Sequence, residues 1–157
     1  MDRATAEHWM LEALAEARKA ESEGEVPIGA IVLINGKIVG RGHNHSIHLH
    51  DPSAHAEILA LRQAARSMRN YRLPGATLIV TVEPCVMCAG AMIQARVEEV
   101  IYGALDPKAG SLDSHFHLAN AAHLNHCFEV VSGILEQDCS SLMRTFFAAR
   151  RQPASEY

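Results

Sequence analysis

Two short motifs, separated by a long intervening stretch of chain, place the strongest constraint on the fold. The first holds His55 and Glu57, and the second holds Cys85 and Cys88 in a C-x-x-C pattern that follows Pro84. Imidazole nitrogen and cysteine sulfur are the usual protein ligands of zinc. We therefore expect the chain to fold so that His55, Cys85 and Cys88 converge on one zinc ion per chain.

The number of ligands indicates what kind of zinc site this is. Structural zinc sites normally have four protein ligands, whereas catalytic sites keep one position for water. Glu57 is too close to His55 in sequence to be an independent ligand, but it is well placed to take a proton from a metal-activated water. We therefore expect a catalytic site with Glu57 as its proton carrier; a zinc ion that only holds the fold together is the alternative.

Together, the H-x-E and P-C-x-x-C motifs resemble those of the zinc-dependent nucleoside and nucleobase deaminases. A closer resemblance, to the bacterial tRNA-specific adenosine deaminases, extends over most of the chain. It rests on residues 25–30, the D-P-S-A-H-A-E run at 51–57, residues 83–92, Asn125-His126, and Phe146-Phe147 with the two arginines that follow. Segment 111–123 departs from the family pattern.

The resemblance implies hydrolytic deamination of the wobble adenosine of a tRNA to inosine, with the tRNA anticodon stem-loop as partner. It also implies that Asn44 holds the substrate base or ribose, and that the protein is a homodimer. A deaminase of a free base or nucleoside, of the guanine or cytosine type, is the second interpretation. A zinc module that binds RNA or protein without catalysis is the third.

Further candidate RNA contacts follow from charge and position. Arg150 and Arg151 are expected to contact phosphates, although a net charge of -4 and a C-terminal tail without lysine do not favour a strongly basic surface. Asp106 follows a predicted strand at 98–104. It is expected at the pocket rim, where a carboxylate could accept a hydrogen bond from a ribose 2′-hydroxyl; alternatively it only begins a turn before Pro107.

The hydrophobic pattern predicts an α/β fold, a three-layer α/β/α sandwich with a mixed central sheet of about five strands. The run at 76–82 is almost wholly apolar and is expected to be the central strand.

We expect a single zinc-dependent deaminase domain over residues 1–157, in the cytoplasm, with no membrane span. Cys127 and Cys139 are expected to be buried, and Ser53 is a candidate cap for the helix that carries Glu57.

The stretch at 42–53 is polar and is predicted to be irregular. It carries four histidines: His43, His45, His48 and His50. Their spacing matches no closed set of metal ligands, so we favour a solvated loop beside the pocket over a second metal site.

Overall fold

A computed structural model describes residues 1–151 as five helices around one five-stranded sheet. The helices are α1 (Arg3–Ser22), α2 (Ser46–Leu49), α3 (Ala56–Met68), α4 (Val86–Ala95) and α5 (Glu136–Arg151). The strands are β1 (Gly29–Ile34), β2 (Lys37–His43), β3 (Thr77–Val82), β4 (Glu99–Ala104) and β5 (Glu129–Val131).

The sheet is mixed, as predicted. Its strand order is β2-β1-β3-β4-β5, which makes the apolar strand β3 the central one. The β1–β2 hairpin turns at Asn35 and Gly36, both with positive φ, as a two-residue Asn-Gly turn requires. β1 is antiparallel to β3, whereas β3, β4 and β5 run parallel. The carboxyl ends of β3 and β4 therefore lie side by side.

Alternation along the strands divides the core between two faces of the sheet, because successive side chains point to opposite sides. Ile31, Ile79 and Ile101 pack with α1 and α5. Val32 and Val80 lie on the other face, in the cluster that contains the buried residues of α3 and α4. The predicted three-layer sandwich is confirmed.

Helix α3 lies unusually close to strand β2 because two residues of that strand have no side chain. A Cβ atom added to Gly40 would lie 2.2 Å from the carbonyl oxygen of Ala60, and one added to Gly42 would lie 2.4 Å from that of Ala56. Real Cβ atoms do not approach backbone this closely. These two glycines therefore determine how closely the helix that carries Glu57 packs on the sheet.

Several local predictions were wrong. The stretch at 42–53 is not wholly irregular, since β2 continues to His43 and α2 forms a short helix. Ser53 does not cap α3: its hydroxyl donates to Asp51, and His55 occupies the N-cap position. Cys139 is buried as expected, but Cys127 is exposed. It precedes β5, and its neighbour Phe128 is the residue that faces inward there.

The assignment of all 157 residues to a single domain stays a prediction. Residues 152–157, which include the tail without lysine, lie outside the described residues.

Candidate metal centre

The N-termini of α3 and α4 bring the two sequence motifs together. His55 is the N-cap residue of α3, and Cys85 is the N-cap residue of α4. Strand β3 ends at Val82 and leads almost directly into α4, which places Cys85 at the carboxyl edge of the sheet. Ligands of α/β proteins usually bind at this edge.

The three candidate ligand atoms have the separation that zinc requires. His55 Nδ1 lies 3.6 Å from Cys85 Sγ and 3.5 Å from Cys88 Sγ. With Zn–N and Zn–S bonds of ordinary length, a tetrahedral ion holds a nitrogen and a sulfur ligand about 3.5 Å apart. All three atoms lie within 4.8 Å of one another. The residues therefore fit a zinc ion without rearrangement.

Hydrogen bonds among the ligands already favour a thiolate. The pKa of Cys85 is lowered to about 4, first because of its hydrogen bond with the Cys88 thiol and also because of its hydrogen bond with His55. The same contact with Cys85 raises the pKa of Cys88, and burial adds to this effect. The hydrogen bond to Cys85 raises the pKa of His55. A helix N-terminus also favours the negative form of a thiol.

Glu57 lies in the first turn of α3, directly beside these ligands. It is 4% exposed, and burial raises its pKa to about 7. A carboxylate with a pKa near neutrality can both take up and release a proton, which suits a group that shuttles protons. The structure thus brings Glu57 together with His55, Cys85 and Cys88.

Glu83, which precedes the cysteine motif, organises the loop that follows β4, and the sequence analysis did not single it out. Its buried carboxylate accepts hydrogen bonds from the backbone N–H groups of Asp106, Leu112, Asp113 and Ser114, at 2.8–3.1 Å, and from the Ser114 hydroxyl. Burial alone would raise the pKa of Glu83, but these hydrogen bonds outweigh it and hold the pKa below its usual value. Its signal in the sequence was a charged residue directly after an apolar strand.

This loop contacts the segment just before the metal-binding helix through two further positions. The Ser111 hydroxyl and the Ser111 backbone N–H both donate to the carbonyl oxygen of Pro84, at 2.8 and 2.9 Å. Gly110 packs on the Glu83 carboxylate. Segment 111–123, which departs from the family pattern in sequence, is therefore tied to the residues next to Cys85.

Asn44 is buried next to the start of α3. Its Oδ1 accepts a hydrogen bond of 2.8 Å from the backbone N–H of Ala56, so it supports the helix in the way that Ser53 was expected to. This places Asn44 beside His55. The oxygen atom of the side chain is used in this contact, whereas the amide nitrogen is not.

Asp106 lines a groove of about 610 Å³ formed by residues at the ends of β3 and β4 and by residues of helix α5. Its Oδ1 accepts hydrogen bonds from the backbone N–H groups of Lys108 and Ala109, as in the turn that was the alternative interpretation. The groove is also lined by Arg144, Phe147 and Arg151. One carboxylate oxygen thus holds the turn, while the residue faces a groove with cationic and aromatic side chains.

Arg150 is placed differently from Arg151. Its guanidinium donates a hydrogen bond to the carbonyl oxygen of Gly24 and lies 4.3 Å from the centre of the Phe146 ring. Arg150 therefore ties α5 to the end of α1, and of the two arginines only Arg151 lines the groove.

Within residues 1–151, no helix has both the length and the apolar character needed to cross a membrane.

The sequence of this chain is similar to those of known zinc-dependent deaminases. The family model of the cytidine and deoxycytidylate deaminase zinc-binding region matches residues 3–104, which include all three candidate ligands and Glu57. The tRNA-specific adenosine deaminase of Bacillus subtilis is 47% identical over 93% of this chain and 91% of its own length. That of Haemophilus influenzae is 47% identical over 93% of this chain and 85% of its own length.

Solved structures give the same result. A tRNA deaminase structure, from a study of A-to-I editing at the wobble position of transfer RNA, has a TM-score of 0.83 and 41% identity, and the match covers 86% of this chain and 98% of that one. A guanine deaminase from Nitrosomonas europaea has a TM-score of 0.75 and 25% identity, over 90% and 84% of the two chains. The chain belongs to the zinc-dependent cytidine and deoxycytidylate deaminase family, and within it to the tRNA-specific adenosine deaminases.

Proposed function

We propose that this protein deaminates the wobble adenosine of a tRNA to inosine, with water as co-substrate and ammonia as the second product. One observation carries the proposal: a buried carboxylate, Glu57, lies beside a Cys₂His set that has the spacing of a zinc site. A zinc site that only stabilised the fold would not need Glu57. The identity to tRNA-specific adenosine deaminases supports the choice of substrate.

We propose that His55, Cys85 and Cys88 hold one zinc ion per chain. When bound, zinc would act as a Lewis acid that lowers the pKa of water and so makes a nucleophile available at neutral pH. Glu57 would take a proton from the water, transfer it to the purine ring, and help protonate the departing amino group. Burial keeps Glu57 away from bulk solvent, so these transfers stay within the site.

The groove beside Asp106 is the proposed binding surface for the anticodon stem-loop. Arg144 and Arg151 line it and would neutralise phosphates, and Phe147, which is partly exposed, offers a surface for a base to stack on. An adenosine in an anticodon loop leaves its stack at lower cost than one in a duplex. Asn44, beside His55, would then hold the base or ribose of the target nucleotide.

We further propose that the protein acts as a homodimer. Helix α4 presents the exposed side chains of Val86 and Met87, and a Cβ atom added to Gly90 would meet nothing within 4 Å. This apolar surface with a small residue would let a second subunit approach closely, at the helix that carries the cysteine motif. Sedimentation equilibrium of the purified protein tests the mass directly.

The alternative substrate, a free base or nucleoside, has a structural relative in the guanine deaminase. The guanine deaminase is 25% identical to this chain, against 47% for the two tRNA-specific adenosine deaminases, so a free base is the second candidate substrate. The test compares ammonia release from an anticodon stem-loop RNA with that from adenosine, cytidine and guanine. Turnover of the RNA alone supports the proposal, whereas faster turnover of a free base would overturn it. No release from any of them would leave a binding module as the better interpretation.

A further inference from the structure

A second group of metal-binding side chains lies apart from the cysteines, where the end of α1 meets the end of β2. It consists of Glu23, His43 and His45, each of which offers an atom within 4.8 Å of the others. Glu23 is the C-cap residue of α1, and His43 is the last residue of β2. We call these three residues the histidine cluster.

The distances in the histidine cluster are those of ligands that share an ion. Glu23 Oε2 forms a hydrogen bond of 3.3 Å with His43 Nε2, and it lies 3.1 Å from His45 Nδ1. Two nitrogen or oxygen ligands of a tetrahedral zinc ion lie about 3.3 Å apart. The neighbouring pair, Glu25 Oε2 and His48 Nδ1, is 2.6 Å apart, which is a hydrogen bond and too short for two ligands of one ion.

His45 Nδ1 distinguishes a metal site from a set of ion pairs. This nitrogen is buried and has no hydrogen-bond partner, although the Glu23 carboxylate oxygen is only 3.1 Å away. The oxygen therefore lies off the direction in which a ring N–H would donate. A metal ion bound along the Nδ1 lone pair, in the plane of the ring, would give this nitrogen a partner, and the carboxylate oxygen would then be a second ligand of the same ion.

The surroundings of His43 point the same way. Its other ring nitrogen, Nδ1, faces a carboxylate oxygen of Glu16 at 4.0 Å, and the Glu16 side chain is 6% exposed. Histidines that bind metals commonly direct their second nitrogen towards a carboxylate, which orients the ring. The separation is longer than a hydrogen bond, and the same Glu16 oxygen also forms an ion pair of 2.9 Å with Lys19, so Glu16 faces the ring without bonding to it.

We propose that the histidine cluster binds a second divalent transition-metal ion through His43 Nε2, His45 Nδ1 and a carboxylate oxygen of Glu23. Two imidazoles and one carboxylate suit ions of the Zn²⁺, Ni²⁺ and Cu²⁺ group, whereas Ca²⁺ and Mg²⁺ prefer sites made of oxygen alone. The carboxylate of Glu25, which lies 3.9 Å from His45 Nδ1, offsets the remaining positive charge. The ligand side chains are partly exposed, so the ion exchanges with solvent.

The position of this ion gives it a structural effect on the deaminase site. Asn44 lies between the two histidines in sequence, and its side chain accepts a hydrogen bond from the backbone N–H of Ala56. The backbone N–H of His45 donates a hydrogen bond to the carbonyl oxygen of Ala54. An ion at the histidine cluster would fasten the end of α1 to the segment that leads into His55. Its binding should therefore raise the thermal stability of the protein.

The test uses the full-length protein with one equivalent of Zn²⁺ already bound, to which Co²⁺ is added. Equilibrium dialysis and elemental analysis should show a second equivalent of metal, and the melting temperature should rise with Co²⁺ concentration. The added Co²⁺ should show d–d absorption without the near-ultraviolet bands of cobalt–thiolate bonds. Thiolate bands would mean that Co²⁺ had entered the cysteine site, and the proposal would lose its support.

Variants separate the histidine cluster from other surface histidines. His43→Asn and Glu23→Gln should lose the second equivalent and the rise in melting temperature while they keep the first zinc. His50→Asn is the matched control, since His50 is exposed in the same segment but outside the cluster, and it should bind both. Glu23 is exposed at the helix end, so its variant decides the matter if His43→Asn does not fold. A second equivalent retained by Glu23→Gln, or absent from the wild type, would overturn the proposal.

Discussion

Gly110 lies against the carboxylate of Glu83 so closely that a Cβ atom at position 110 would stand 2.3 Å from the carboxylate carbon. Glu83 cannot move away without losing the hydrogen bonds that hold residues 106–114. We therefore expect Gly110→Ala to lower the free energy of unfolding by about 1–3 kcal/mol, as overpacking of a tight contact does. Chemical denaturation measures this change.

A neighbouring substitution serves as the control for this prediction. Ala109 is exposed, so Ala109→Ser adds an atom where there is room and should change stability by less than about 0.5 kcal/mol. Equal effects of the two substitutions would show that the loop does not depend on its packing against Glu83.

Glu57→Ala should keep the bound zinc and the fold but lower kcat by about 100- to 10,000-fold, because the proton carrier is lost while the ligands stay. Glu57→Gln should behave in the same way, since an amide fills the space but cannot carry the proton. Inosine formation and elemental analysis are measured on the same preparations. Loss of the metal along with activity would identify Glu57 as a ligand instead.

Cys88→Ala should lose most of its zinc, because Cys88 is fully buried beside His55, and the other sulfur of the described site, that of Cys85, is already a ligand. The matched substitution is Cys139→Ala, which removes a buried thiol on the opposite side of the sheet. It should retain zinc at the wild-type level. Full zinc occupancy in Cys88→Ala would remove this residue from the ligand set.

The two C-terminal arginines should differ in their effects on RNA binding, although the sequence treats them alike. Arg151 lines the groove, so Arg151→Gln should raise KM for tRNA and reduce the log–log salt slope by roughly one unit. Arg150 contacts Gly24 and the Phe146 ring, so Arg150→Gln should mainly lower the melting temperature. The opposite assignment of these effects would mean that α5 meets RNA with its other side.

Asp106→Asn should weaken the discrimination of RNA against DNA. The substitution keeps an oxygen for the N–H groups of Lys108 and Ala109, so the turn remains. It replaces the second carboxylate oxygen, which would accept the ribose 2′-hydroxyl, with an NH2 group. The measurement is the ratio of kcat/KM on matched RNA and DNA anticodon-loop oligonucleotides. An unchanged ratio would leave Asp106 as a turn residue alone.

The parts of the fold that the sequence predicted well are those with a local signal. The apolar run at 76–82 became the central strand, and the H-x-E and P-C-x-x-C motifs met as expected. The loop at 106–114 has no such signal, since it depends on contacts with Glu83, far away along the chain. The cap of α3 was missed for the same reason: Asn44 supports the first N–H of this helix from another element.

The close packing of α3 on Gly40 and Gly42 makes the geometry of the metal centre depend on residues that never touch the metal. A side chain at either position would lift the helix from the sheet and carry His55 away from the two cysteines, which are held by α4 at the end of a different strand, β3. A selection for chains that retain zinc would therefore recover these two glycines along with the ligands. The edge strand β2 therefore determines the distance between His55 and the two cysteines.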